Sequence, residues 1–248
     1  MPSRPRRAVG PLTPHLYVPT RERPVRAKVH RLRPDWQVQP HSHPWAQVAF
    51  SFGGVTRLTA ANASFTVPPS RALWIPAGVE HAVTVLSEAD IHTLYLYQPA
   101  GRCGPGALPA AERAAWRQCR VLEVSELLRA LVLQLDTRPD GVVPLDAAER
   151  AREARLAALV HDELRRAAPV PLGVAMPGDR RLRALCEAVL EQPALHTSLH
   201  AWSQDIGASP RPSRGCFRRS WARASPLGAS RRCWRARCSL RRNAGHSA

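Results

Sequence analysis

Two histidines one residue apart, His41 and His43, and a third at the end of Trp74-Ile-Pro-Ala-Gly-Val-Glu-His81 are the residues whose types and spacing could do chemistry. On an alternating strand His41 and His43 point to one face, so their imidazoles could meet His81 arriving from a neighbouring strand. Imidazole nitrogens suit zinc, nickel, copper or iron. Gln47, four residues beyond His43, is the fourth candidate; its neutral amide adds no charge to hold a divalent cation. Three readings stand side by side: a divalent transition metal, a small organic effector, and histidines that only line a cavity or hydrogen-bond its loops. His92 reads as a cross-strand polar contact. Elsewhere no nucleophile-base arrangement and no phosphate-cradling glycine loop is visible.

The segments that must position these residues alternate with period two. Residues 45–52, 55–58, 63–67, 72–76, 83–86 and 91–97 read as short strands punctuated by Gly53-Gly54 and by Pro-Ala-Gly. Closely spaced strands of this kind argue for a small antiparallel barrel or jelly roll. Beyond Pro99 the period becomes helical. Leu127, Leu128, Leu131, Val132 and Leu135 form a stripe behind a start at Ser125-Glu126, and Leu156, Leu159, Val160 and Leu164 form another from about Asp146 to Ala167. Asp179 caps a further helix that carries Leu182, Leu185, Val189 and Leu190 inward and ends at Gln192-Pro193. Its Arg180, Arg181 and Arg183 could touch phosphates or face solvent. The fold class is α+β. An arm (residues 1–27), disordered or laid across another surface, precedes the barrel (28–100); a helical linker (101–168), a Pro/Gly-rich connector (169–178) and a C-terminal helical region from 179 follow.

Within that last region Leu199, Trp202 and Ile206 face one way and run into Gly207, which can take the positive φ of a sharp inter-helix turn. Ser209 stands at the cap of a second helix, Pro210 at its first position and Arg211 behind it. Residues 199–211 resemble the first helix-turn-helix of the AraC/XylS transcription regulators. His41-Ser-His43, Gln47 and the 74–81 stretch resemble the two motifs of a cupin, over residues 30–98. Metal cupins commonly carry a Glu shortly after the HxH pair; the Gln47 departure argues against a catalytic metal.

The resemblance implies a sensor barrel, a helical pair that joins two subunits (101–168), and an incomplete helix-turn-helix region (179–211). Ser209, Pro210, Arg211, Ser213 and Arg214 would meet DNA, His41, His43, Gln47 and His81 an effector or metal. Expected partners are DNA, a small-molecule or metal effector, a second copy of the chain and RNA polymerase. No cofactor is called for outright, a divalent transition metal in the barrel being the one candidate, and no enzyme activity is expected. A metal-dependent cupin dioxygenase or isomerase with a helical appendage is the alternative, and it leaves residues 179–211 without a purpose.

From Pro212 to Ala248 the helical period vanishes. Eleven arginines fall between Arg211 and the end, and no acidic residue follows Asp205. GC-rich codons for this tail, read in a neighbouring frame, can spell the L-x-R-x-F and E-L-G-x-S-F motifs with which the family continues. A one-base shift near position 211 is therefore expected, and resequencing decides it. The formal charge of +17 owes much to this tail, so it is weak support for a nucleic-acid surface. Cys103, Cys119, Cys186, Cys216, Cys233 and Cys238 make no close pair for zinc, which favours a reducing cytosol. Neither a secretory leader nor an apolar run near the roughly 20 residues of a membrane span is present, so a cytoplasmic location is expected.

Overall fold

The structure is a computed structural model that describes residues 6–34, 36–60, 63–106, 108 and 110–191. In chain order the elements are β1 (Arg7–Val9), a 3-10 turn (Pro14–Leu16), β2 (Val25–Leu32), β3 (Trp36–His41), β4 (Ala46–Gly53), β5 (Thr56–Ala60), β6 (Ala63–Val67), β7 (Arg71–Ile75), β8 (His81–Val85) and β9 (Ala89–Leu96). Then come α1 (Ala110–Trp116), β10 (Arg120–Glu123), α2 (Glu126–Gln134), α3 (Ala147–Arg166), β11 (Pro169–Val170), β12 (Gly173–Ala175) and α4 (Arg180–Glu191). The described residues divide into two compact units, one within Met1–Ala61 and Phe65–Leu172, the other within Asn62–Ser64 and Gly173–Ala248.

In the first unit one sheet runs β1-β3-β8-β5-β6 and the other β11-β10-β7-β4-β9-β2. The antiparallel ladders expected from the sequence are there, with one exception: β1 pairs parallel to β3. This strand corrects the expectation of disorder for residues 1–27 over the part described. The arm is tied down further along, where Asp140 donates its backbone N–H to Leu16 and accepts one from Val18 on its side chain. β2 also begins at Val25, inside the expected arm, because Arg26 and Lys28 are buried and break the inside-apolar rule on which the boundary rested.

β4, β7 and β9, and β2 over Val25 to Lys28, are buried on both faces, which is why β4 reads as almost continuously buried. One face carries Val25, Ala27, Val48, Phe50, Trp74, Leu94 and Leu96, and packs on Leu128, Leu131 and Val132 of α2 and Ala157, Val160 and Leu164 of α3. An apolar sheet face of that extent must be covered, so the helices expected to form a separate linker from residue 101 belong to the barrel's own unit. The same stretch holds β10, a short strand that sequence reading missed. Trp116 at the end of α1 joins this core: its backbone oxygen accepts from the Trp74 indole N–H at 2.8 Å, and the two rings meet edge to face at 5.0 Å.

The helix starts behave as their cap residues dictate. The Ser125 hydroxyl accepts from Leu128 N–H, and Asp146 with Glu149 forms a reciprocal capping box. In the second unit Asp179 accepts from the N–H groups of Arg181 and Leu182 at 3.0 Å, and Leu182 and Leu185 of α4 are buried.

Gly54, in the β4–β5 turn, has φ +73°, and a Cβ there would lie 2.0 Å from the Glu88 backbone oxygen. Gly54→Ala is therefore expected to cost about 2–4 kcal/mol, from left-handed strain plus a backbone shift. Gly53→Ala, whose Cβ would meet only the Asp90 side chain at 3.8 Å, serves as the control at under about 1 kcal/mol. Equal urea midpoints for the two variants would reject this account.

Candidate metal centre and barrel cavity

β3 ends at His41 and β8 begins at His81, and the two are cross-strand partners in the ladder. His43 lies past the end of β3, in the turn before β4, so it shares no strand face with His41 as the alternation argument required. The turn nevertheless brings it in: ring centroids stand 4.3 Å apart for His41 and His81, 5.2 Å for His43 and His81, and 6.2 Å for His41 and His43. One ring nitrogen from each residue lies within 4.8 Å of the others. The three histidines singled out from the sequence are thus brought together.

Each ring is held by the same device. His41 Nδ1 meets Gln39 O at 2.9 Å, His43 Nδ1 meets Trp45 O at 2.8 Å, and His81 Nδ1 meets Val79 O at 2.9 Å. A carbonyl only accepts, so each Nδ1 carries the proton and each Nε2 keeps a lone pair. Outer hydrogen bonds of this kind fix the tautomer of metal-ligating histidines. Burial pushes the His81 pKa down to about 4 and lowers that of His43, so both rings are neutral, the state in which imidazole binds a cation. His81 Nε2 is buried with no hydrogen-bond partner. Three imidazole donors, two of them kept neutral by burial and one orphaned, fit a borderline divalent transition metal and could hold one.

Gln47 points into the same place, its Oε1 2.8 Å from His43 Nε2. The Gln47 oxygen and a His43 nitrogen without a proton would repel there, and burial disfavours the imidazolium that could donate from both nitrogens. The satisfied arrangement has the Gln47 amide turned so that its NH2 donates to the Nε2 lone pair. Gln47 is thus a competitor for that lone pair in the absence of a cation, and a neutral neighbour in its presence. Trp45 stacks on His43 at 5.2 Å and Tyr95 meets it edge-on at 5.3 Å. His92 stands apart, on the other sheet face, against the Phe52 ring at 4.4 Å and 3.7 Å from Asp90.

Beside the histidines is a cavity of about 40 Å³ lined by His30, His41, Gln47, Thr93 and Tyr95 among apolar Leu58, Val83 and Ile91. Sequence reading missed His30, Tyr95 and Trp45. Tyr95 and Trp45 sat in the expected strands, but nothing in alternation alone shows which strand faces converge. It also missed a charged cluster at the start of β2, where Arg26 bonds Asp140 at 2.7 Å and Asp136 accepts from Arg23 and Arg138 at 3.0 and 2.7 Å. Ser209, Pro210, Arg211, Ser213 and Arg214, with the helix-turn-helix stretch 199–211 and the tail, lie outside the described residues.

Residues 24–162 match the family model of the AraC-like ligand binding domain. The chain belongs to this family. The AraC-family resemblance drawn from the sequence holds for an N-terminal sensor domain, which in this chain includes α2 and most of α3 besides the barrel. A curated relative, the HTH-type transcriptional regulator NimR of Escherichia coli (strain K12), is 27% identical over 173 residues, 69% of this chain and 56% of its own length. The chain thus spans just over half the length of that relative. Among solved structures, a cupin-2 domain containing protein from Shewanella frigidimarina is 19% identical, covering 30% of this chain and 72% of its own at a TM-score of 0.28. Oxalate decarboxylase from Bacillus subtilis is 23% identical, covering 30% of this chain and 21% of its own, also at 0.28. Among the described residues of this AraC-like chain, no helix is long and apolar enough to cross a membrane.

Proposed function

We propose that the chain is a ligand-responsive transcription regulator whose barrel senses a small molecule or metal and whose C-terminal region meets operator DNA. The family match over residues 24–162, together with a relative named as a transcriptional regulator, carries this reading. In the sensor, His41, His43 and His81 hold a divalent transition metal through their Nε2 atoms, with Gln47 beside it. A bound cation would supply positive charge at the cavity wall and a coordination position for an effector. The enzyme alternative is favoured by the same three histidines and weakened by Gln47, which brings no carboxylate to the centre; metal-dependent turnover of a substrate by the pure protein would reverse the order.

Leu127 and Leu133 on α2 and Leu159 on α3 are exposed. That apolar surface supports a homodimer formed through these helices, and a monomer by sedimentation at micromolar concentration would count against it. Coupling between sensor and DNA must be reciprocal, because an effector shifts DNA affinity only through its unequal affinity for two arrangements of the protein.

For DNA binding, the expectation concerns the chain as written. Pro226 and Gly228 disfavour a recognition helix running on beyond residue 211, and the eleven arginines from Arg211 onward offer charge to phosphates. Binding should be weak, indifferent to sequence and steeply salt-dependent, falling by at least about tenfold between 50 and 200 mM salt. The protein with its frame restored near codon 211 should prefer its own promoter over scrambled duplex by roughly 4 kcal/mol or more. Gel-shift titrations of both proteins decide this, and operator-selective binding by the chain as written would show its tail to be a genuine reader.

A further inference from the structure

Gln47 is 5% exposed and sits in β4, its backbone laddered to Ile75 of β7 on one side and to Tyr95 of β9 on the other. A strand held from both sides leaves only the side chain to rearrange. That side chain bonds His43 Nε2 at 2.8 Å, and it also lines the barrel cavity of about 40 Å³. The three imidazoles of the centre are therefore not equivalent. His81 Nε2 is buried with no hydrogen-bond partner, and His41 stands half-buried on the cavity wall. The lone pair of His43 is already taken.

The reason lies in the burial of His43, which is 6% exposed. Its Nδ1–H is given to Trp45 O, so its Nε2 can only accept, and a buried acceptor left bare costs more than an ordinary hydrogen bond contributes. In the chain without a cation the Gln47 NH2 fills that lone pair. A cation arriving there changes the sign of the contact, because an N–H group presents the positive end of its dipole. The amide then has two courses: to turn over in place and offer its oxygen as a ligand, or to leave. Imidazole suits zinc, copper, nickel and iron, whereas a carbonyl oxygen suits the harder magnesium, calcium and manganese. With three imidazoles choosing the ion, the amide oxygen is the poorer donor to it. The cavity gives the side chain a place to turn into, with Thr93 and Tyr95 as polar groups on its wall.

From this geometry we infer that Gln47 is a lock on the metal centre and not one of its ligands: its amide blocks His43 in the metal-free chain, and a cation enters by driving it off toward the cavity. The inference rests on reading His41, His43 and His81 as a metal centre. It adds that the chain withholds one of its own three donors, and it reverses the effect expected of a ligand at position 47. A centre built this way gives up a hydrogen bond on loading and regains it on release, so it holds its ion less tightly than three free imidazoles would.

The test is calorimetric titration of the full chain with zinc chloride, wild type against Gln47→Leu, in one buffer at one pH. Leucine is of similar size and cannot bond His43. The variant should bind zinc about three- to tenfold more tightly, the range set by one neutral hydrogen bond that no longer has to be broken. Weaker binding by Gln47→Leu would make the amide a ligand, and equal binding would make it a bystander; either result overturns the inference. A nuclear magnetic resonance measurement on isotope-labelled wild type keeps the test open even if Gln47→Leu does not fold. The Gln47 side-chain NH2, recognised by its Overhauser contacts to the His43 ring, should lose those contacts when zinc is added, and their survival in the zinc-loaded protein would also overturn the inference. If wild type takes up no zinc, the metal centre falls and the lock with it, whereas uptake by wild type with no gain in Gln47→Leu removes the lock alone.

Discussion

His43→Ala is expected to weaken zinc binding by more than about 100-fold while leaving the barrel folded. The first part follows from ligand count. Three imidazoles are the His, Cys, Asp and Glu donors that the described residues bring together at this centre, and changes to groups that merely orient a metal's ligands cost about 10- to 100-fold, so loss of a direct ligand should exceed that. The second part follows from placement. His43 lies in a turn, outside the β-ladders, and its ring bonds Trp45 O and Gln47. Truncation leaves those groups near polar neighbours and does not open the apolar core on the opposite sheet face. Gln47→Glu should act the other way in the same titration, since a carboxylate brings the charge that the amide lacks. Zinc uptake by His43→Ala equal to wild type, followed by calorimetry with circular dichroism as the folding control, would remove the proposed centre.

How far this site was legible in the sequence depends on what kind of signal each residue carried. His41, His43 and His81 were recoverable because a spaced His pair and a third His after a Pro-Ala-Gly turn are chemical signals. The geometric reason offered was wrong in part: His43 leaves the strand, and the turn rather than the pleat aims it. Helix starts at Ser125, Asp146 and Asp179 were legible because capping is local chemistry. Arg26, Lys28 and the start of β2 were not. Period-two reading assigns charged positions to solvent, and Arg26 is buried against groups far along the chain: Asp140 is more than a hundred residues from it. Tertiary pairing of that range leaves no mark within any sequence window. The same limitation split the barrel from its helices, since only the folded sheet reveals that its second face is apolar over four adjacent strands and must be covered.

The long-range pairing also sets the second large effect. Asp136→Ala is expected to destabilise the protein by about 3–5 kcal/mol, the cost of breaking a buried pair from one side. Asp136 is 12% exposed and faces three guanidinium groups, Arg138 at 2.7 Å, Arg23 at 3.0 Å and Arg26 at 3.8 Å. Arg138 and Arg23 keep solvent access and, for Arg138, Glu149 as well. Arg26 does not: it is 1% exposed, with Asp136 gone its one remaining counter-charge is Asp140 beside the Arg138 backbone oxygen, and its Nε and Nη1 already lack hydrogen-bond partners. Burial pushes the Asp136 carboxyl up, but the hydrogen bonds from Arg138 and Arg23 outweigh it and hold the group below the usual carboxylate range. A lowered folded pKa means that the folded state binds fewer protons than the unfolded one. The stabilisation is therefore complete above the unfolded value of about 3.9 and disappears as pH falls through the folded value. Urea unfolding of wild type and Asp136→Asn should accordingly show a gap that is constant near neutrality and narrows only below about pH 4. If the buried arginine is the source of the cost, adding Arg26→Met to Asp136→Ala should recover much of the loss, because an apolar side chain asks for no counter-charge. Strict additivity of the two substitutions would place the cost elsewhere and reject this network as the tie between β2 and the α2–α3 connection.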